Sequence, residues 1–360
     1  MTDGTPGQAS RSAIMPAPKL RHVDDKKPGI TRNKAGDGWA YYGPDGARIT
    51  DREEIDRLNG IALPPAYVDA WYCPHPNGHI QATGIDARGR KQYRYHLDFR
   101  AQQEADKYER TAEFGASLPK LRAQVDKDLA GRKLARETVI AAVVRLLDLG
   151  KIRVGNETYA KENKSFGATT LRNRHAKVTG SKLRLEYVGK SGKKQRLTIE
   201  DRRLANLVRR TQDLPGQHLF EYVDEKGKPQ PVGSAEVNDY IREATGGDFT
   251  AKHFRTWGAS LLAFQHILET ARDGKLSLKP MLEAVAAALG NTPAISRKSY
   301  IHPALVEICR NGDAGTLCEL KLPRPAKGLT GEERALIGFL EELAESVRKE
   351  SARGKGSKAA

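Results

Sequence analysis

Cysteine is scarce in this chain. Its 360 residues include three, Cys73, Cys309 and Cys318, an odd number with no C-x-x-C pair. Neither a disulfide framework nor a cysteine zinc site is expected, and a reducing compartment suits such a protein. Long apolar runs are also missing. The most apolar stretch, 139–149, is interrupted by Arg145 and Asp148, so no membrane span is expected. The first 35 residues are polar and basic and lack the apolar segment of a secretory signal. Acid is in short supply too: 45 Asp and Glu stand against 61 Lys and Arg, for a formal charge of +16. The deficit is local. Residues 151–197 hold 13 Lys and Arg and 3 Asp and Glu, a net of +10. A solubilising face would intersperse both signs; a concentrated basic segment points to a polyanion partner. Gly189-Lys190-Ser191 is not a nucleotide-binding P-loop. That motif needs glycine five positions before Gly189, where Arg184 stands, and a following helix, where a strand is expected.

The pattern along the chain predicts an α+β protein in two lobes. Residues 1–35 read as a flexible basic arm. Residues 36–105 read as a small β-rich N-terminal lobe that binds the partner. Two short strands surround Gly43-Pro-Asp-Gly46, a short helix starts at Asp51, and further strands lie at Val68–Cys73, Ile80–Asp86 and Gln92–His96. Residues 106–349 read as a larger, mostly α-helical catalytic lobe. It carries a small three-stranded sheet near 174–178, 182–188 and 194–199, and helices near 118–128, 133–149, 200–212, 234–244, 250–269, 278–289 and 331–349. Residues 350–360 read as a basic disordered tail.

Five residues in this lobe suit phosphate chemistry. Arg153 lies between Gly150, read as a helix C-cap, and a second turn at Gly155, a setting that fixes a guanidinium fork against phosphate oxygens. Lys190 stands at the tip of a glycine-flanked hairpin. Lys252 and Arg255 share one helical face near the helix start. Tyr300 follows Ser296-Arg-Lys-Ser299 and reads as a tyrosine in a basic loop. Its free pKa is about 10, and nearby cations lower such a value. A tyrosine nucleophile with two arginines and a lysine is a set able to cut and rejoin a nucleic-acid backbone with no metal and no nucleotide.

Taken in order, these stretches resemble the type IB DNA topoisomerases of the small bacterial and poxvirus kind. The likeness rests on Arg153-Val-Gly-Asn-Glu-Thr-Tyr-Ala-Lys-Glu-Asn163, Gly167-Ala-Thr-Thr-Leu-Arg172, Val188-Gly-Lys190, Lys252-His-Phe-Arg255-Thr256 and Ser296-Arg-Lys-Ser-Tyr300, and spans roughly residues 38–345. The resemblance implies a tyrosine recombinase/topoisomerase IB-like fold, with Arg153 and Arg255 on the non-bridging oxygens, Lys190 as general acid for the 5′ hydroxyl, and Tyr300 forming a 3′-phosphotyrosyl link. Nine residues before the tyrosine the viral pattern has histidine and this chain has Asn291. An amide donates a hydrogen bond but does not transfer a proton at pH 7, so Asn291 is expected in oxyanion binding. In the N-terminal lobe, Arg90, Lys91, Gln92, Tyr93 and Tyr95 interleave cations with aromatics. Tyr93 and Tyr95 project to one face of a strand and Arg94 to the other. Gln92 suits an adenine edge and Arg or Lys a guanine edge, and the resemblance implies that Gln92, Tyr93 and Tyr95 touch the major groove. The alternative is a sheet with an aromatic core face.

The implied partner is duplex DNA, preferably supercoiled, handled by a monomer in a bacterial cytoplasm, associated with the nucleoid, with neither ATP nor an obligatory metal. A site-specific tyrosine recombinase uses a similar set but usually has His-x-x-Arg where this chain has Lys252-x-x-Arg255, and a helical gripping lobe. A non-catalytic architectural protein would bend DNA without changing its linking number.

Overall fold

The structure is a computed structural model that describes residues 19–356 apart from 272, 274, 275 and 327. The chain forms two compact units that divide between Asp106 and Lys107.

In the first unit β1 (Ile30–Ala35), β2 (Gly38–Tyr42), α1 (Arg52–Gly60), β3 (Val68–Tyr72), β4 (Ile80–Ile85) and β5 (Lys91–Tyr95) follow in order. The strands make one antiparallel sheet in the order β2-β1-β3-β4-β5. Asp51 caps α1 by accepting from the Glu53 N–H, as a first-turn donor requires. Leu58 of α1 packs with Ile30, Tyr41, Leu63, Tyr72 and Ala82 in a small core.

The expected arm does not reach residue 35. Its first 18 residues lie outside the described ones, but 30–35 are a strand that pairs with 38–42 about Gly36, whose φ of +58° suits glycine. The inward position that hid this strand is an arginine. Arg32 is 9% exposed. Its guanidinium donates to the Leu63 and Pro64 carbonyls and to the Tyr72 hydroxyl and lies 4.0 Å from the Trp39 ring centroid. A charged residue satisfied in this way breaks the apolar alternation on which strand prediction rests. The strand expected after Gly46 shrinks to a single bridge between Tyr42 and Arg48.

The division falls within α2 (Leu97–Leu129). Beyond it come α3 (Arg136–Gly150), α4 (Glu157–Asn163), β6 (Ala176–Thr179), β7 (Lys182–Val188), β8 (Lys194–Glu200), α5 (Arg202–Gln212), β9 (Glu221–Val223), β10 (Pro229–Pro231), α6 (Ser234–Thr245), α7 (Ala251–Ala271), α8 (Leu278–Leu289), α9 (Pro293–Ser299), α10 (Pro303–Asn311) and α11 (Gly331–Gly356). Strands β6, β7 and β8 form the three-stranded sheet, and β9 and β10 a two-stranded one. The second unit is therefore a helical body carrying small sheets, an α+β arrangement. Helix α3 is its centre, with nine buried residues from Thr138 to Leu147. Arg122 of α2 holds Asp148 of α3 and Glu333 of α11, each at 2.8 Å. Helix α11 continues to Gly356, through much of the expected disordered tail. Residues 357–360 lie outside the described ones.

Candidate active site

The Arg153 loop is built by close backbone contact. Helix α3 ends with Lys151, not Gly150, in the left-handed region (φ 52°). Gly150 serves packing instead: a Cβ there would lie 3.0 Å from Leu197 of β8. Two residues beyond Arg153, Gly155 (φ +102°) presses against Gly167, where a Cβ would stand 2.6 Å from both the Gly155 nitrogen and the Arg153 carbonyl oxygen. The Ala168 N–H donates to the Arg153 carbonyl at 2.8 Å and the Thr169 N–H to that of Val154 at 2.7 Å. These bonds lock the backbone that carries Arg153.

Lys190 sits, exposed, at the turn between β7 and β8. The Gly189 N–H donates to the Lys193 carbonyl at 2.8 Å, with Ser191 and Gly192 at φ of 63° and 74°. Ser165 Oγ donates to the Gly189 carbonyl at 2.6 Å, and the Phe166 N–H to that of Val188 at 2.8 Å. The hairpin is thus pinned to the segment that leads into Gly167.

Arg255 is 3% exposed on α7. It donates to the carbonyls of Lys151 and Leu289, while its Nε is buried without a partner. Lys252, one turn earlier, is exposed. Asn291 follows Gly290, the left-handed C-cap of α8. Its Oδ1 accepts from Arg153 Nη2 at 2.6 Å, and its Nδ2 is buried without a partner. Thr292, not Asn291, caps α9 by accepting from the Ile295 N–H. Tyr300 was expected in a basic loop. It terminates α9 instead, half-buried and packed on the core, because Thr292-Pro293 starts a short helix whose last N–H bonds run from Tyr300 and Ile301 to the Ser296 carbonyl.

Arg153, Lys190, Lys252, Arg255 and Tyr300 line one open cleft of about 350 Å³, and Asn291 reaches it through Arg153. The Arg255 guanidinium lies 4.8 Å from the Tyr300 ring centroid. Burial would raise the Tyr300 pKa, but Arg255, by its charge and by hydrogen bonding, and then the charges of Arg153 and Lys190 bring it below the ordinary tyrosine value. Arg255 is itself pushed down, by burial and then by Arg153. Among the described residues that line the cleft there is no carboxylate. Clustered, partly desolvated cations with no counter-charge carry a free-energy cost that a bound anion relieves. Asn156, Tyr159, Ser165 and Phe166 also line the cleft. Sequence reasoning gave them no role: Asn156 and Tyr159 belong to a seven-residue helix too short to show a period, and Ser165 and Phe166 to the loop after it; Asn156, whose side chain caps α4 by accepting from the Tyr159 N–H, was the available signal.

In the first unit, Tyr93 and Tyr95 of β5 are each 41% exposed and stack at 5.8 Å with rings 9° apart. An aromatic core face is thereby ruled out. Lys91 pairs with Asp25 at 2.6 Å. Arg90 and Gln92 both donate to Asp86 Oδ2.

Two family models match this chain: eukaryotic DNA topoisomerase I, catalytic core, over residues 96–311, and bacterial DNA topoisomerase IB, N-terminal domain, over residues 38–86. DNA topoisomerase 1B of Acanthamoeba polyphaga mimivirus is 34% identical over 295 residues, 79% of this chain and 88% of the viral one. The chain belongs to the type IB DNA topoisomerases. As a DNA topoisomerase I it is an isomerase that acts on DNA. More distant topoisomerase relatives are DNA topoisomerase I of Monkeypox virus, 21% identical over 64% of this chain and 72% of its own, and DNA topoisomerase 1 of Mycosarcoma maydis, 25% identical over 68% and 24%. A solved XerH site-specific recombinase bound to its difH substrate matches at 17% identity and a TM-score of 0.34, over 51% of this chain and 48% of its own, a likeness too slight to bear on how this topoisomerase acts. Among the described residues no helix is long and apolar enough to cross a membrane.

Proposed function

We propose that Tyr300 is the nucleophile of a transient single-strand break that relaxes supercoiled duplex DNA. The phenolic oxygen attacks the scissile phosphorus, so a Tyr–O–P bond forms as the bond to the 5′ oxygen breaks. The phenolic proton leaves to solvent, and Lys190 gives a proton to the departing 5′ oxygen. Arg153 and Arg255 hold the non-bridging oxygens, and the Asn291 amide donates to one of them. Such fixed donors act where charge develops on the phosphoryl group. The 3′-phosphotyrosyl link conserves the phosphodiester energy, so the freed strand swivels and religates without ATP or an obligatory metal. Tyr93 and Tyr95, with Arg90, Lys91 and Gln92, bind the duplex on the first unit, and Lys252 adds a phosphate contact at the cleft. The enzyme works as a monomer on nucleoid DNA in a bacterial cytoplasm, a setting that the match to a bacterial N-terminal domain and the scarcity of cysteine support.

The observation that carries this reading is the buried Arg255 guanidinium against Tyr300, with Arg153 and Lys190 near enough to lower the phenol's pKa. The test is detergent trapping on duplex DNA. The parent should yield a covalent protein–DNA adduct, and Tyr300→Phe should yield none while still binding DNA. An adduct with Tyr300→Phe would move the nucleophile to another residue.

A further inference from the structure

The hairpin that carries Lys190 and the turn that carries Asn291 come from distant parts of the chain, yet both must address oxygens of one phosphate. One side chain lies between them. Gln195 stands on β8, opposite Tyr187 of β7. Its Cγ would be 3.0 Å from a Cβ at Gly189, the residue before Lys190. Its Oε1 would be 2.0 Å from a Cβ at Gly290, the residue before Asn291, and its Nε2 2.5 Å. Both neighbours are glycines, so the side chain lies directly on their backbones. At Gly290 the left-handed φ of +63° and the missing Cβ are both required. Gln195 also walls a cavity of about 40 Å³ whose lining includes Gly189, Arg153, Arg255 and Leu289, immediately behind the two arginines.

We propose that Gln195 is a positioning residue that sets the register of the Lys190 hairpin against the Asn291 turn. The stem packs on Gly189 and the amide on Gly290, so the proton donor and the oxyanion donor hold one spacing before DNA arrives. Truncation leaves two glycine backbones facing a gap, and the hairpin loses its stop on that side. The role rests on the proposed assignment of Lys190 as general acid. Misplacement of a catalytic group by about 1 Å costs on the order of 100-fold in rate, so a loosened hairpin should cost about 10- to 100-fold.

The experiment measures single-turnover cleavage of a duplex with a mapped cleavage site, made with either oxygen or sulfur at the 5′-bridging position. The enzymes are the full-length parent, Gln195→Ala, Gln195→Met, Lys190→Ala and the double variant Lys190→Ala/Gln195→Ala. Sulfur leaves without protonation, so Gln195→Ala should be slow on the oxygen duplex and near the parent rate on the sulfur duplex. On oxygen, the double variant should be little slower than Lys190→Ala alone, because positioning a missing lysine gains nothing. Gln195→Met, which fills the same space, should keep most of the rate and controls for folding. The proposal is overturned by equal losses on both duplexes with Lys190→Ala rescued, by losses that multiply in the double variant, or by a methionine variant as slow as alanine. Failure of sulfur to rescue Lys190→Ala sinks the general-acid assignment instead, and the double-variant comparison then still decides whether Gln195 positions Lys190.

Discussion

Substitution of Asn291 separates catalysis from architecture more sharply than any other change. In the free protein Asn291 Oδ1 accepts from Arg153 at 2.6 Å and Nδ2 is buried with no partner. A buried donor left unpaired costs roughly 1–3 kcal/mol, which a phosphate oxygen would relieve. Asn291→Ala removes that donor and should slow cleavage by about 10²–10³, the usual loss for one oxyanion donor. Asn291→Asp should be slower still. Its carboxylate would form an ion pair with the Arg153 guanidinium where a neutral amide oxygen now accepts, and would divert that arginine from the phosphate while adding repulsion. The same change exchanges the unpaired Nδ2 donor for an unpaired carboxylate oxygen but gains an ion pair with Arg153, so the aspartate variant should melt close to the parent. Asn291→His retains a ring N–H and should keep much of the activity. Rates come from single-turnover cleavage, and stability from thermal melts on the same preparations. If Asn291 only shaped the turn, aspartate would be tolerated, but the capping role there already belongs to Thr292. An aspartate variant as active as the parent would remove Asn291 from the site and leave the tyrosine mechanism intact.

Lys190→Ala should slow cleavage of ordinary DNA by about 10²–10⁴, the span of general acid catalysis, and sulfur at the 5′-bridging position should restore the rate; no restoration would mean that Lys190 acts electrostatically or only in binding. The cleavage rate should rise with pH and reach its plateau at lower pH than the titration of a free tyrosine would allow, because the cations favour the phenolate form of Tyr300. Arg153→Ala removes one of those cations, so its plateau should move to higher pH, and a profile that does not move would deny Arg153 any electrostatic effect on the nucleophile. Binding to non-specific duplex, followed by anisotropy, should weaken steeply between about 50 and 200 mM salt as counterion release loses its advantage. A flat response would show that residues 151–197 do not face DNA.

The features legible in the sequence were those written locally. The β6–β8 strands stand between glycine turns, and Arg153, Lys190, Arg255 and Tyr300 lie in short stretches whose residue types suit phosphate. Where the fold depends on distant partners, the sequence was silent or misleading. Arg32 occupies an inward position only because Leu63, Pro64 and Tyr72 satisfy it. Helices α4 and α9 have seven residues each, too few to show a period. The pairing of Arg153 with Asn291 joins residues 138 positions apart, and nothing in either local stretch announces it. Gly150 and Gly189 illustrate the same limit: both read as turn glycines, whereas one keeps β8 close to α3 and the other also makes room for Gln195.

The most direct measurement of the central claim is incubation of negatively supercoiled plasmid with the full-length protein in EDTA and without ATP, beside the Tyr300→Phe variant. The parent should give a ladder of progressively relaxed topoisomers, and Tyr300→Phe should leave the plasmid unchanged. Unchanged plasmid with the parent, or a ladder with the phenylalanine variant, would contradict that claim.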